Sequence, residues 1–290
     1  MTDLLNPTTY LTRDNPRLLE LQDEYSKLTL PFGHTQWKDH QNNVGVHNFR
    51  YDGHYLGTGA MWDDAYRIMF DHVVRIDKKG WLRDLHEDDA FGIQTYEFPM
   101  PDGTPKVISR DLLDSIMELY AVMESYGGLP QRWLDIGAGY GRFAHRLTNL
   151  PGWSGYITCI DPIAVSTFLC EFYMAYRDCT KSVETLPMSY IDDIQADDFD
   201  IAVNIHSWSE CSANAINFWL DRLCDWRVPY LFLVPHDERW VCVNEDGSIG
   251  NFYPLLEKHG YHNVWHRSKY PEGVNGLYPE VNYHLFVRRP

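Results

Sequence analysis

A chain of 290 residues with 44% hydrophobic and 14% aromatic content can bury one large core or two modest ones, which excludes an intrinsically disordered protein. Its formal net charge of -16 repels phosphate backbones and anionic bilayers, so neither nucleic acid nor membrane is an expected partner. The start MTDLLNPTTY lacks the basic and apolar regions of a signal peptide, no apolar run reaches bilayer length, and the six cysteines follow no CxxC or zinc spacing. A cytoplasmic protein with reduced thiols is the expectation.

Taken in chain order, residues 1–127 read as helices and loops. Helices are expected over 15–28, 61–76 and 111–127; in the last, Leu112, Ile116, Leu119 and Met123 share a face and Gly127 stops the run. A hairpin around the PDG turn is expected within 95–110. From Gly128 the pattern changes to strand, helix, strand. Strands are expected at 132–136, 156–160, 182–185, 200–205, 230–234, 263–266 and 282–288. Helices are expected around Phe143 and Leu147, over 163–176, around Ile216 to Leu223, and over 253–259. This alternation predicts an α/β, doubly wound, Rossmann-like and mostly parallel sheet over 128–290, preceded by a mainly helical lid or acceptor-binding region over 1–127.

The first strand of the alternating part runs into WLDIGAGYGRF. Asp135 is followed by Gly137, Gly139 and Gly141, and a helix begins at once. A glycine turn between strand and helix brings bare backbone toward a ligand, and marks a nucleotide-cofactor site. The dinucleotide fingerprint G-x-G-x-x-G requires a third glycine where this chain has Arg142, so the pattern is G-x-G-x-G.

In Asp135, Gly137, Ala138, Gly139 and Gly141 the chain resembles the class I S-adenosylmethionine (SAM)-dependent methyltransferases, whose first motif is an acidic residue followed by G-x-G-x-G. The resemblance implies a seven-stranded sheet with an antiparallel last strand, here 282–288, and SAM as cofactor. It also implies that Asp161, with Pro162 in the YITCIDP run, holds the cofactor's ribose hydroxyls; an Asp at this place also suits a helix N-cap. A narrower stretch, VNIHSWSECSANAINFWL at 203–220, resembles a segment of sugar O-methyltransferases of bacterial glycan pathways. Together these imply methyl transfer to a hydroxyl of a saccharide or glycosylated metabolite.

Such a transfer needs in-line alignment and a base for the hydroxyl proton. His206, at the end of the fourth core strand, is the first candidate, with Glu210 to orient it or to bind an acceptor hydroxyl; His236 and Asp237 follow the fifth strand. Asp237 and Glu238 have the chemistry to hold magnesium, but no spacing predicts a metal. In HNFRYDGHYLGTG, the residues His47, Arg50, Tyr51 and Asp52 are candidate acceptor contacts, and Trp208 is a candidate stacking surface. A nicotinamide-dependent oxidoreductase, an O-methyltransferase of a non-sugar natural product, and a non-catalytic cofactor-binding partner are the competing readings. The sequence leaves the oligomeric state open, a homo-oligomer included.

Overall fold

The computed structural model describes residues 6–28, 48–50, 62–270 and 281–289. The described chain opens with α1 (Pro7–Tyr10) and α2 (Pro16–Ser26), followed by α3 (Trp62–Ile76), α4 (Trp81–Asp84), the hairpin β1 (Tyr96–Pro99) and β2 (Pro105–Ile108), and α5 (Arg110–Tyr126). Alternation then begins: β3 (Arg132–Ile136), α6 (Arg142–Thr148), β4 (Tyr156–Ile160), α7 (Ala164–Tyr176), β5 (Val183–Thr185), β6 (Ile201–Ile205), α8 (Ala213–Asp225) and β7 (Tyr230–Val234). The chain closes through a small hairpin, β8 (Val241–Val243) and β9 (Ile249–Asn251), then α9 (Tyr253–Lys258), β10 (Tyr261–Ser268) and β11 (Asn282–Arg288).

Seven of these strands form one sheet in the order β10-β11-β7-β6-β3-β4-β5. β3, β4, β5, β6 and β7 run parallel. β11 inserts antiparallel between β7 and β10. The expected seven-stranded, mostly parallel α/β fold with an antiparallel last strand is therefore present. The parallel strands are mostly apolar because both faces are covered: β3, β4 and β7 are each buried from their second residue on. The chain enters at β3, winds outward to β5, and returns beside β3 as β6. That reversal splays the connections after β3 and β6 to opposite faces and opens a crevice at their carboxyl ends.

The N-terminal elements are built into the sheet. Tyr66 and Phe70 of α3 and Leu112, Ile116 and Leu119 of α5 share one buried core with Trp133, Phe143, Val203, Phe232 and Leu285. Leu11, Leu18 and Leu21 pack on Phe168, Leu169 and Phe172 of α7. Arg17 clamps Glu171 through two nitrogens at 2.9 and 2.7 Å. Short elements escaped the sequence reading: α1, α4 and the β8–β9 hairpin are too brief for a periodic signal. β10 extends beyond 263–266 at both ends.

Buried charge ties these layers together. Arg50 and Arg146 are 2% and 1% exposed. Both guanidinium groups reach the buried carboxylate of Glu87, at 2.7 and 2.6 Å. Glu87 also accepts from Ser109, whose hydroxyl caps α5 by accepting Leu112 N–H at 3.0 Å. Asp111, one turn into α5, lies 3.5 Å from Arg50, 3.5 Å from Arg142 and 3.7 Å from Arg146.

Removing one partner from such a network leaves an uncompensated buried charge. Glu87→Ala strands two guanidinium groups and is expected to destabilise by about 3–5 kcal/mol, seen as a Tm lower by roughly 10 °C. Lys27→Ala, which breaks the exposed Asp23–Lys27 pair, is expected to change stability by less than about 0.5 kcal/mol in the same thermal melts.

Candidate active site

The glycine turn lies at the end of β3. Gly137, Gly139 and Gly141 have φ of 76, 58 and 86°, a region that a side chain disfavours. Each is bare for a different reason. A Cβ on Gly137 would overlap the Ser207 side chain, and one on Gly141 would press on Met174 and Cys170. A Cβ on Gly139 would meet none of the described residues within 4 Å, so among them its face is open to a ligand.

Four of the N–H groups of the turn are not aimed at that space. Those of Gly137 and Ala138 donate to Ile160 O at 2.8 and 3.2 Å, and that of Gly141 to Ala138 O at 2.9 Å. Gly139 N–H donates to Asp161 Oδ2 at 2.9 Å. The expectation that bare amides reach toward a ligand is corrected here: four donors are consumed within the protein. α6 has seven residues, and its first turn carries Arg142, whose guanidinium points away to Glu118 at 2.7 and 3.0 Å.

The charge around the turn is acidic. Asp135 is 4% exposed and has no hydrogen-bond partner among the described residues. Burial, partly offset by Arg142 and reinforced by Glu118 and Asp161, pushes its carboxyl up to about 7. Burial also raises Glu118, against the opposing field of Arg142. Asp161, at the end of β4, takes Gly139 N–H on one oxygen and Ile163 N–H on the other, at 2.9 Å each. It therefore braces the segment that leads into α7, whose N-cap is Ile163, and supports the glycine turn at once. Pro162 follows it, partly buried. Tyr25, which the sequence reading missed, reaches this place from α2: its hydroxyl lies 3.3 Å from Asp161 O and accepts Met188 N–H at 3.0 Å.

The second turn of the crevice follows β6. His206 stands at φ 69°, ψ -33° and opens the 3-10 turn Ser207–Glu210. Its imidazole is partly buried, and Nδ1 is shielded without a partner. Burial, with Lys269, His236 and Arg110 adding to it, holds His206 well below the ordinary value, so the ring is neutral at pH 7. His236, after β7, brings its ring to 5.2 Å from that of His206. Glu210 faces His236 rather than His206, with Oε1 3.5 Å from His236 Nε2. Lys269, 7% exposed, ion-pairs with Asp114 of α5 at 2.8 Å on the same side.

Other candidates fall elsewhere. Trp208 is 1% exposed and packs against Phe252 in the core beneath the sheet, so it stacks on protein, not on an acceptor. Arg50 is enclosed by Glu87, Asp88 and Asp111, its terminal nitrogens committed to these carboxylates and to Ala90 O. His47, Tyr51 and Asp52 lie outside the described residues. The expected VPHDE cluster diverges: Asp237 pairs with Arg239 at 2.5 Å, and Glu238 with His284 at 3.1 Å. Among the described residues no group of three or more His, Cys, Asp or Glu side chains is placed to hold a metal ion.

No family model matches the chain, and no curated protein matches it. Among solved structures it is similar to a SAM-dependent methyltransferase from Aquifex aeolicus, at 17% identity over 60% of this chain and 92% of that one, with a TM-score of 0.43. It is similar to the magnesium protoporphyrin IX methyltransferase of Synechocystis PCC 6803 with bound SAM, at 12% identity over 80% and 100% of the two chains, TM-score 0.45. It is similar as well to a protein of the NADB-Rossmann superfamily from Streptococcus agalactiae, at 13% identity over 58% and 67%, TM-score 0.43. At such likeness, what the crevice holds is read from its own side chains.

The buried carboxyl of Asp135 makes a pH prediction. Unfolded, its value is about 3.9; folded, it is about 7. The folded protein keeps a proton across this window that the unfolded chain has lost, so this contribution to stability is full below about 4 and is lost as pH rises through about 7. Asp135→Asn is expected to exceed the parent by a margin that grows from pH 5 to pH 8 by on the order of 2–3 kcal/mol. Urea unfolding at both pH values reads this directly; an equal difference at the two would remove Asp135 as the source.

Proposed function

We propose that the chain is a SAM-dependent O-methyltransferase. The observation that carries this reading is the buried acidic surround of the glycine turn. A pyrophosphate needs free N–H donors and positive charge. Here four of the turn's donors are consumed, and Asp161, with Asp135 once ionised, would repel it. A ligand with an ammonium and a sulfonium suits the same surround. The site fits such a group: Gly139 leaves an open face, Asp135 is an unpartnered buried carboxyl, and Asp161 is a carboxylate at the strand end where two ribose hydroxyls can donate.

When bound, SAM supplies a methyl group on a positively charged sulfur. The chain's own residues do the rest. Asp161 holds the ribose, and Asp135 and Glu118 balance positive charge. His236 is the favoured base, in place of His206. With Nε2–H turned to Glu210, its Nδ1 is left to accept the hydroxyl proton, and the Glu210 carboxylate stabilises the imidazolium that forms. His206, held neutral, lines the same space and offers a hydrogen bond to the acceptor. The narrower reading, a saccharide or glycosylated acceptor, rests on the 203–220 segment. A hydroxylated natural product of another kind fits the same chemistry.

Calorimetric titration with S-adenosylhomocysteine, and with NAD in parallel, tests the cofactor. Binding of the first alone is expected, weakened at least about 100-fold in Asp161→Ala, the loss of two hydrogen bonds to a charged group. Binding of NAD alone would overturn the reading in favour of an oxidoreductase. Transfer of radiolabelled methyl groups to a panel of sugars tests the base. His236→Ala is expected to lower kcat by about 100- to 10,000-fold, and Glu210→Gln by roughly 10-fold. An unchanged rate in His236→Ala would remove it from the role.

A further inference from the structure

The strain at His206 calls for a cause. A non-glycine residue at φ 69°, ψ -33° is costly, and such a conformation persists only where the surroundings over-determine it. Two backbone bonds contribute: His206 N–H donates to Val234 O at 2.8 Å, and Ser209 N–H donates to His206 O at 3.0 Å. Beside bonds from Cys211 Sγ to Ser207 O and from His236 N–H to Ser209 Oγ, three more come from one side chain, that of Asn204.

Asn204 is 2% exposed and stands two residues before His206 on β6. Its Nδ2 donates to Ile136 O, the last carbonyl of β3, at 2.7 Å, and to Ser207 Oγ at 2.5 Å. Its Oδ1 accepts Trp208 N–H at 3.1 Å. One carboxamide thus uses both donors and its acceptor to join the end of β3 to the turn after β6. Ser207, held by that amide, fills the space that a side chain on Gly137 would need, with Asn204 Nδ2 3.5 Å from the same point. The glycine turn and the histidine turn interlock across the switch between β3 and β6.

We propose that Asn204 is a positioning residue: it locks the strained His206 turn to the carboxyl end of β3, so that the glycine turn and His206 respond to cofactor as one body. The proposal rests on the cofactor reading above. A merely structural amide would support the fold without linking ligand at Gly139 to the imidazole of His206. The groups that face this imidazole are Lys269 after β10, His236 after β7, and Arg110 and Asp114 of α5.

The test is imidazole and amide NMR of the isotopically labelled full chain, with S-adenosylhomocysteine as the probe. In the parent, the probe is expected to shift both the Gly137 and Gly139 amides and the His206 ring. In Asn204→Ala the glycine amides still shift, with Kd changed less than about threefold. The His206 ring no longer follows, and its titration moves toward the ordinary value by at least about half a pH unit. A His206 ring that follows the probe and titrates as in the parent would overturn the proposal. If the parent fails to bind the probe, the cofactor reading falls, and the ligand-free titration of His206 in parent and variant still decides the role of Asn204. Should Asn204→Ala not fold, Asn204→Asp is measured in the same way; it keeps the acceptor for Trp208 N–H and removes both donors.

Discussion

Burying an unpaired charge is too costly to tolerate, and that constraint organises this molecule. Glu87 and Asp111 are enclosed, so guanidinium groups must come to them from residues 50, 142 and 146. These partners lie on separate parts of the chain. Satisfying them fixes α5, α6 and the segment around Arg50 against one another before any ligand is considered. The glycine turn is drawn into the same network, because Tyr140 donates its hydroxyl to Asp111 at 2.6 Å. The position of the turn thus depends on charges well outside it.

Much of the fold was legible because its signals are local. β3, β4, β7 and β11 are apolar runs bounded by turn residues, and their limits coincide with those expected from the sequence. The antiparallel last strand came from the resemblance, since no local pattern states which way a strand runs. The site was legible where identity alone decides, as for glycines that need positive φ and an acid at the end of β4. It was not legible where a partner lies far along the chain. Glu210 is four residues from His206, a helical spacing that suggested contact, but a 3-10 turn carries it toward His236 on the neighbouring strand end. Arg50 reads as a polar loop residue until Glu87 and Asp111 enclose it. Trp208 sits beside candidate catalytic residues in sequence and points the other way. Asn204 gives no signal of its own in the sequence, because the bond that ties its turn to β3 reaches a carbonyl 68 residues away.

The two sides of the crevice differ in electrostatic character. Around β3 and β4 the buried groups are carboxyls, and Asp135 carries the strain of being enclosed near two others. Around β6, β7 and β10 they are imidazoles with Lys269 and Arg110, and the same burial holds His206 neutral. Desolvation acts on both sides and favours the uncharged form of each group. One side suits a cation; under the proposed function, the other suits a neutral acceptor whose proton must leave. The division follows from which strand ends the chain visits before and after its reversal.

Four N–H groups of the glycine turn already have acceptors within the protein, and this bears on the timing of binding. A loop that must find its partners in a ligand is paid for in entropy when the ligand arrives. Here the backbone is already held by Ile160, Ala138 and Asp161, so little ordering remains to be done. Cofactor can enter and leave a preformed seat at rates set by diffusion and desolvation, without waiting for a slow closure on that face. Any slow conformational step in turnover then belongs to the acceptor side.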